Sequence, residues 1–194
     1  LVGLLLAVAG ASVLITLASV QGDFYKVAGA SIYGAMLILL YGVSTLYHSI
    51  PSARPKAILQ KLDHLSIYLF IAGSYTPITL VTLKGTVGWW IFGIIWSLAA
   101  MGMFFEFTLA KKTRIPSLLT YLVMGWLIVF AMKDLRSAME PAGVWLLAIG
   151  GISYTIGVYF FVLDEKYKHY HGIWHLFVMG GSVFQYFSIA LYLI

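Results

Sequence analysis

His171 and His175 stand four residues apart in His171-Gly-Ile-Trp-His175, near the start of the last apolar run of the chain. On a helix that spacing projects both imidazoles from one face, one turn apart, where both can reach a single metal ion. By itself such a pair could equally be two hydrogen-bonded side chains with no metal between them. An earlier run ends in Ser44-Thr-Leu-Tyr-His48, and Asp63 follows in Lys61-Leu-Asp63-His64. Three imidazoles around one ion, with a fourth position left open, is the pattern of an open zinc site. The chain has no Cys, so thiolate ligands and disulfides are excluded and any metal must be held by His, Asp or Glu. Zinc suits such a donor set better than magnesium or calcium, which prefer oxygen ligands. Asp63 could bind the ion directly or through a water, and in the second role could accept a proton. Ser44, one turn before His48 and deeper in the membrane, could donate a hydrogen bond to that water or to a substrate oxygen.

These residues belong to a chain built for lipid. Of its 194 residues 61% are hydrophobic and only 10% charged, and the mean hydropathy is +0.94, where a soluble domain carries roughly a quarter charged residues. About 20 apolar residues cross a bilayer as a helix, and seven runs meet that length: roughly 1–20, 27–50, 62–83, 86–109, 115–132, 141–163 and 170–194. The shorter alternating segments of a membrane barrel are absent. The expected architecture is an all-α bundle, a single seven-helix transmembrane domain over 1–194. The sequence opens on Leu1 rather than Met, which leaves room for residues upstream. Its first run is read as a mature helix because it outlasts a signal-peptide apolar region.

Basic residues fall unevenly between the two sides. Arg54, Lys56, Lys61, Lys111, Lys112, Arg114, Lys166 and Lys168 share a side with the N-terminus, and Lys26, Lys84, Lys133 and Arg136 lie opposite. The positive-inside rule then puts the N-terminus in the cytoplasm and the C-terminus outside. The net charge of +5 is thereby spent on topology and is no footprint for nucleic acid. With this topology the end of the second run and the starts of the third and seventh lie at one depth on the cytoplasmic side. His48, Asp63, His171 and His175 were chosen without reference to charge, yet charge brings them together. Ionisable groups within membrane helices are costly and mark sites or pairs, so the shared depth favours a metal over separate hydrogen bonds.

The other polar residues read more plainly. His64 points about 100° away from Asp63 on a helix and is expected to pack or sit at the interface. His169 is expected to be solvated. Glu106 is expected to snorkel or to pair with Lys111, and Asp23, Asp134, Asp164 and Glu165 are read as loop charges. Gln185 is expected to hydrogen-bond between helices. Gly29, Ala30, Gly34, Gly150, Gly151 and Gly157 allow close helix packing. Pro77 is expected to kink the third helix, with hydroxyls nearby for the freed carbonyls. Trp89 and Trp90 fit interfacial anchoring at the outer end of the fourth run.

Ser44-xxx-His48, the Lys-Leu-Asp63-His64 stretch followed by Gly73-Ser-Tyr-Thr-Pro77, and His171-xxx-His175 together resemble the hemolysin III family. That family is the bacterial branch of the progestin and adiponectin receptor superfamily, related to alkaline ceramidases. The resemblance covers essentially the whole chain and rests on three motifs on three helices. It implies an N-in topology, a bacterial plasma membrane and a cytoplasmic-side Zn2+ held by His48, His171 and His175. Asp63 would complete that site directly or through water, and Ser44 would lie beside it.

Three functions follow as expectations. The first is a zinc-dependent hydrolase of a lipid amide or ester, with Asp63 as general base and Ser44 stabilising the oxyanion. The second is a non-catalytic receptor-like regulator of membrane lipid homeostasis with structural zinc. The third is the pore-forming, haemolytic activity in the family's name. Membrane lipids are the expected partners, including a lipid or fatty-acyl ligand within the bundle.

Overall fold

In lipid a backbone has only itself for hydrogen bonding, which leaves a long apolar run little choice but the helix. The structure, a computed structural model, describes residues 1–108 and 114–194, without the side chains of residues 107 and 108. Among the described residues no strand is present. Seven helices there are long and apolar enough to cross a membrane: Val2–Gln21, Phe24–Ser49, Ala53–Thr82, Thr86–Glu106, Ile115–Ala138, Pro141–Val162 and Tyr170–Tyr192. The chain is a multi-pass, all-helical membrane protein, as its hydropathy requires.

In finer detail the elements are α1 (Val2–Gln21), α2 (Phe24–Ser49), α3 (Ala53–Pro77) with a π turn (Ile78–Thr82), and α4 (Thr86–Thr108). They continue as α5 (Ile115–Trp126), a 3-10 segment (Leu127–Ala131), α6 (Met132–Ala138), α7 (Pro141–Val162) and α8 (Tyr170–Tyr192). Two boundaries depart from expectation. The third helix begins at Ala53 rather than near Leu62. Its first turns, Ala-Arg-Pro-Lys-Ala-Ile-Leu-Gln-Lys, are mostly good helix formers, and Pro55 falls in the first turn, where no N–H is needed. Their charge hides them from a hydropathy reading. The fifth span likewise runs on to Ala138, so Lys133, Asp134 and Arg136 lie on a helix and not in a loop.

The chain forms two compact units, residues 1–127 with Ile194, and residues 128–193. In the first, α1 packs on α2, α2 on α3, and α3 on both α4 and α5. The third span is the core of this unit: 67% of its most apolar window is buried, against 33% or less for every other span. Two glycines set its approach to α2. A Cβ on Gly29 would lie 2.9 Å from the Cα of Pro77, and one on Gly73 would lie 2.6 Å from the Met36 side chain. Beyond Pro77 the helix widens into the π turn, closed by Leu83 N–H to the Ile78 carbonyl at 2.9 Å. The hydroxyls of Ser74, Thr76 and Thr79 donate to the carbonyls of Ile71, Ala72 and Thr76. None of these is the Gly73 carbonyl, the group four residues back that Pro77 leaves without its N–H, so the hydroxyls do not take the role expected of them there.

In the second unit α7 and α8 form an antiparallel pair. Gly143, Gly150 and Gly157, seven residues apart, are buried along α7, as a left-handed helix seam requires. Cβ atoms there would meet Tyr192, the Gly181 carbonyl, and Phe177 with Trp174 respectively. Ser188 donates to the Gly143 carbonyl at 2.9 Å, Ser153 to the Phe177 carbonyl at 2.8 Å, and Tyr154 pairs with Ser182 at 3.0 Å. Continued to the end of α7, this register sets Phe161 beside Trp174 and His171.

Candidate metal centre

His171 and His175 occupy the first two turns of α8 and present their rings to each other, as their spacing requires. The two Nε2 atoms are 3.1 Å apart. Zinc–imidazole bonds are about 2.0–2.1 Å long, so one ion bonded to both nitrogens would subtend about 100°, close to tetrahedral. The donor set fits zinc: two half-buried imidazoles with their ε-nitrogens converging, and no sulfur.

Behind the pair stands a carboxylate that the sequence reading set aside. Asp164, expected to be a loop charge, holds its Oδ2 2.7 Å from His171 Nδ1. Its side chain is only 8% exposed, against 40% for His171, so the aspartate is tucked under the ring it touches. The connection from α7 to α8 makes this possible. Lys166 and Tyr167 N–H both return to the Leu163 carbonyl, and Tyr170 N–H to Tyr167. His169 then takes a left-handed conformation, φ 74° and ψ −9°, as the N-cap of α8. His169 is solvent-exposed as expected, but its main contribution is that turn. A carboxylate on the far nitrogen of a metal-type histidine is the usual outer partner of such ligands, and a carboxylate seven residues upstream across a short loop was the available signal.

In the first unit His48 lies in the last turn of α2, exposed, with its ring 4.6 Å from that of Tyr47. Ser44 is half-buried one turn earlier, and Asp63 is half-buried on α3. Because α3 starts at Ala53, Asp63 sits in its third turn and not at its tip. His64 departs from the packing role expected of it. Its Nδ1 lies 2.9 Å from Glu106 Oε1, with Glu106 only 8% exposed. Ser117 donates to the other oxygen of Glu106, and Tyr121 OH donates to the His64 carbonyl at 3.0 Å. Glu106 thus joins α3, α4 and α5; Lys111, its expected partner, lies outside the described residues. Gln185 also differs from expectation: its Oε1 is buried with no hydrogen-bond partner among the described residues.

A helical, multi-pass membrane protein with a carboxylate-backed imidazole pair opening its last span is the class that fold and site define. The chain belongs to the haemolysin-III related family, whose model matches residues 1–186. It is 42% identical over 193 residues to Hemolysin-3 of Bacillus cereus, covering 100% of this chain and 88% of that one. It is 41% identical over 191 residues to the Hemolysin-3 homolog of Bacillus subtilis (strain 168), covering 98% and 89%. The human monocyte to macrophage differentiation factor is 33% identical over 181 residues, 88% of this chain and 73% of the relative. No solved structure matches the chain significantly.

Proposed function

We propose that the chain is a zinc-binding protein of a bacterial plasma membrane, one seven-helix domain whose metal site faces the cytoplasm and hydrolyses a lipid amide or ester. The observation that carries this reading is the converging Nε2 pair of His171 and His175, 3.1 Å apart. His48 is the third ligand, on the strength of its place at the cytoplasmic end of α2 in the positive-inside topology. Bound zinc supplies an acidified water and polarises a carbonyl. Asp63, if it holds the site through a water rather than as a direct ligand, would accept the proton as water attacks the carbonyl carbon. It returns that proton to the amine or alcohol as the acyl bond breaks. Ser44 donates a hydrogen bond to the carbonyl oxygen as negative charge develops there.

The expected result for protein purified without chelators is near-stoichiometric zinc by elemental analysis and anomalous scattering, lost in His171→Ala. A lipid panel should show fatty-acid release by the wild type, abolished in Asp63→Ala while fold and metal are largely kept. Absence of metal in the wild type overturns the reading. Metal without turnover favours a second reading, a receptor-like regulator of lipid homeostasis with structural zinc. The names of the Bacillus relatives point to haemolysis. Liposome leakage that persists in His171→Ala would support that third reading.

A further inference from the structure

The metal ligands proposed above do not explain why a carboxylate is tucked behind one of them. We infer that Asp164 is a positioning residue that presets His171 as a metal ligand through Nε2; this rests on the zinc reading. A carboxylate can only accept a hydrogen bond, so at 2.7 Å from Asp164 Oδ2 the proton of a neutral His171 sits on Nδ1. That makes His171 Nε2 an acceptor. The neighbouring Nε2 of His175, 3.1 Å away, then carries a proton and donates to it. The three side chains form one directed chain, His175 to His171 to Asp164, with every donor pointing toward the carboxylate. His171 needs no tautomer change to bind metal. His175, to bind through Nε2, would have to carry its proton on Nδ1 instead.

The surroundings hold this order in place. The turn through left-handed His169 carries Asp164 back onto the first turn of α8. Phe161 flanks the same ring, with centroids 6.3 Å apart, and also packs on Trp174 at 5.0 Å. Asp164 is more enclosed than the histidine it supports, so water competes poorly for the bond. Outer-shell carboxylates of this kind change metal affinity by about 10–100-fold when removed.

The test uses full-length protein with 15N-labelled histidine in nanodiscs, first metal-free and then titrated with Zn2+ against a competing chelator. His171 signals are assigned by comparison with His171→Asn. Metal-free wild type should show His171 as the Nδ1–H tautomer and His175 as Nε2–H, and zinc should convert only His175. Asp164→Ala should lose the fixed tautomer of His171 and bind Zn2+ about 10–100-fold more weakly. Asp164→Asn, whose amide oxygen can accept the same bond, should keep the tautomer and most of the affinity. Wild-type affinity in Asp164→Ala overturns the role of Asp164 and leaves the zinc site standing. A wild type that binds no zinc overturns both. A lower melting temperature in metal-free Asp164→Ala, with unchanged zinc affinity, marks the bond as structural and also overturns the inference. If Asp164→Ala does not fold, an Nε2–H His171 in the metal-free wild type is enough to overturn it.

Discussion

Asp23 shows how much a single half-buried carboxylate can organise. It ends the link after α1 and accepts hydrogen bonds from Tyr25 and Lys26 N–H at 2.8 and 3.2 Å, capping α2. Those backbone bonds, that of Lys26 foremost, hold its carboxyl below the usual carboxylate range, with help from Lys84 and Lys26. A carboxylate whose folded pKa is depressed stabilises the fold above its unfolded pKa, and that contribution is lost as pH falls through the folded value. Asp23→Ala should therefore lower the melting temperature by a constant amount between about pH 5 and 8. The difference from wild type should shrink once pH falls below about 4, the ordinary aspartate value; a difference that persists there would argue against the cap. In the sequence this residue, like Asp164, reads as a loop charge, and Glu106 as a partner of Lys111 or a snorkelling side chain. The His171–His175 pair was legible because its geometry lies within one helix. Asp164 was not, because its bond depends on a left-handed turn at His169, a conformation that only a few per cent of non-glycine residues adopt. The Glu106–His64 contact spans 42 residues and depends on helix packing that no local pattern encodes.

At the scale of elements, lipid exposure made the spans easy to read and their ends hard. Hydropathy locates an apolar stretch, but the basic first turns of α3 and the charged α6 are helical for reasons of propensity and hydrogen bonding that hydropathy ignores. The π turn was also out of reach, although Pro77 marked its place. The crossing of α2 over that proline brings a helix directly against backbone, and its tolerance can be measured. Gly29→Ala gains about 1 kcal/mol of helix propensity but drives a Cβ against the Pro77 backbone at 2.9 Å. Overpacking of a rigid contact costs about 1–3 kcal/mol, so the expected net effect is a lower melting temperature in detergent. An unchanged or raised value would show that α2 and α3 can part at no cost.

For the molecule as a whole, the orientation expected from the distribution of Lys and Arg can be tested directly, because the chain has no Cys. A single cysteine at Lys166, in the loop before α8, should be protected from an impermeant maleimide in intact cells and label after permeabilisation. One at exposed Lys84 should label from outside without it. The reverse pattern would place the His171–His175 pair on the opposite face and remove the argument from charge that joins His48 to it. The glycine seam of α7 bears on the same pair. With Gly143, Gly150 and Gly157 at equal intervals, sliding α8 by seven residues, about 10.5 Å, would again set bulky side chains against glycines. A repeating seam is a ruler without a zero mark, and apolar packing alone chooses poorly between its positions. The polar contacts supply the mark: Ser188 to Gly143, Ser153 to Phe177, Tyr154 to Ser182, and at the far end Asp164 to His171. The bond that aims the imidazole is thus also one of the few that tell the hairpin where to stop.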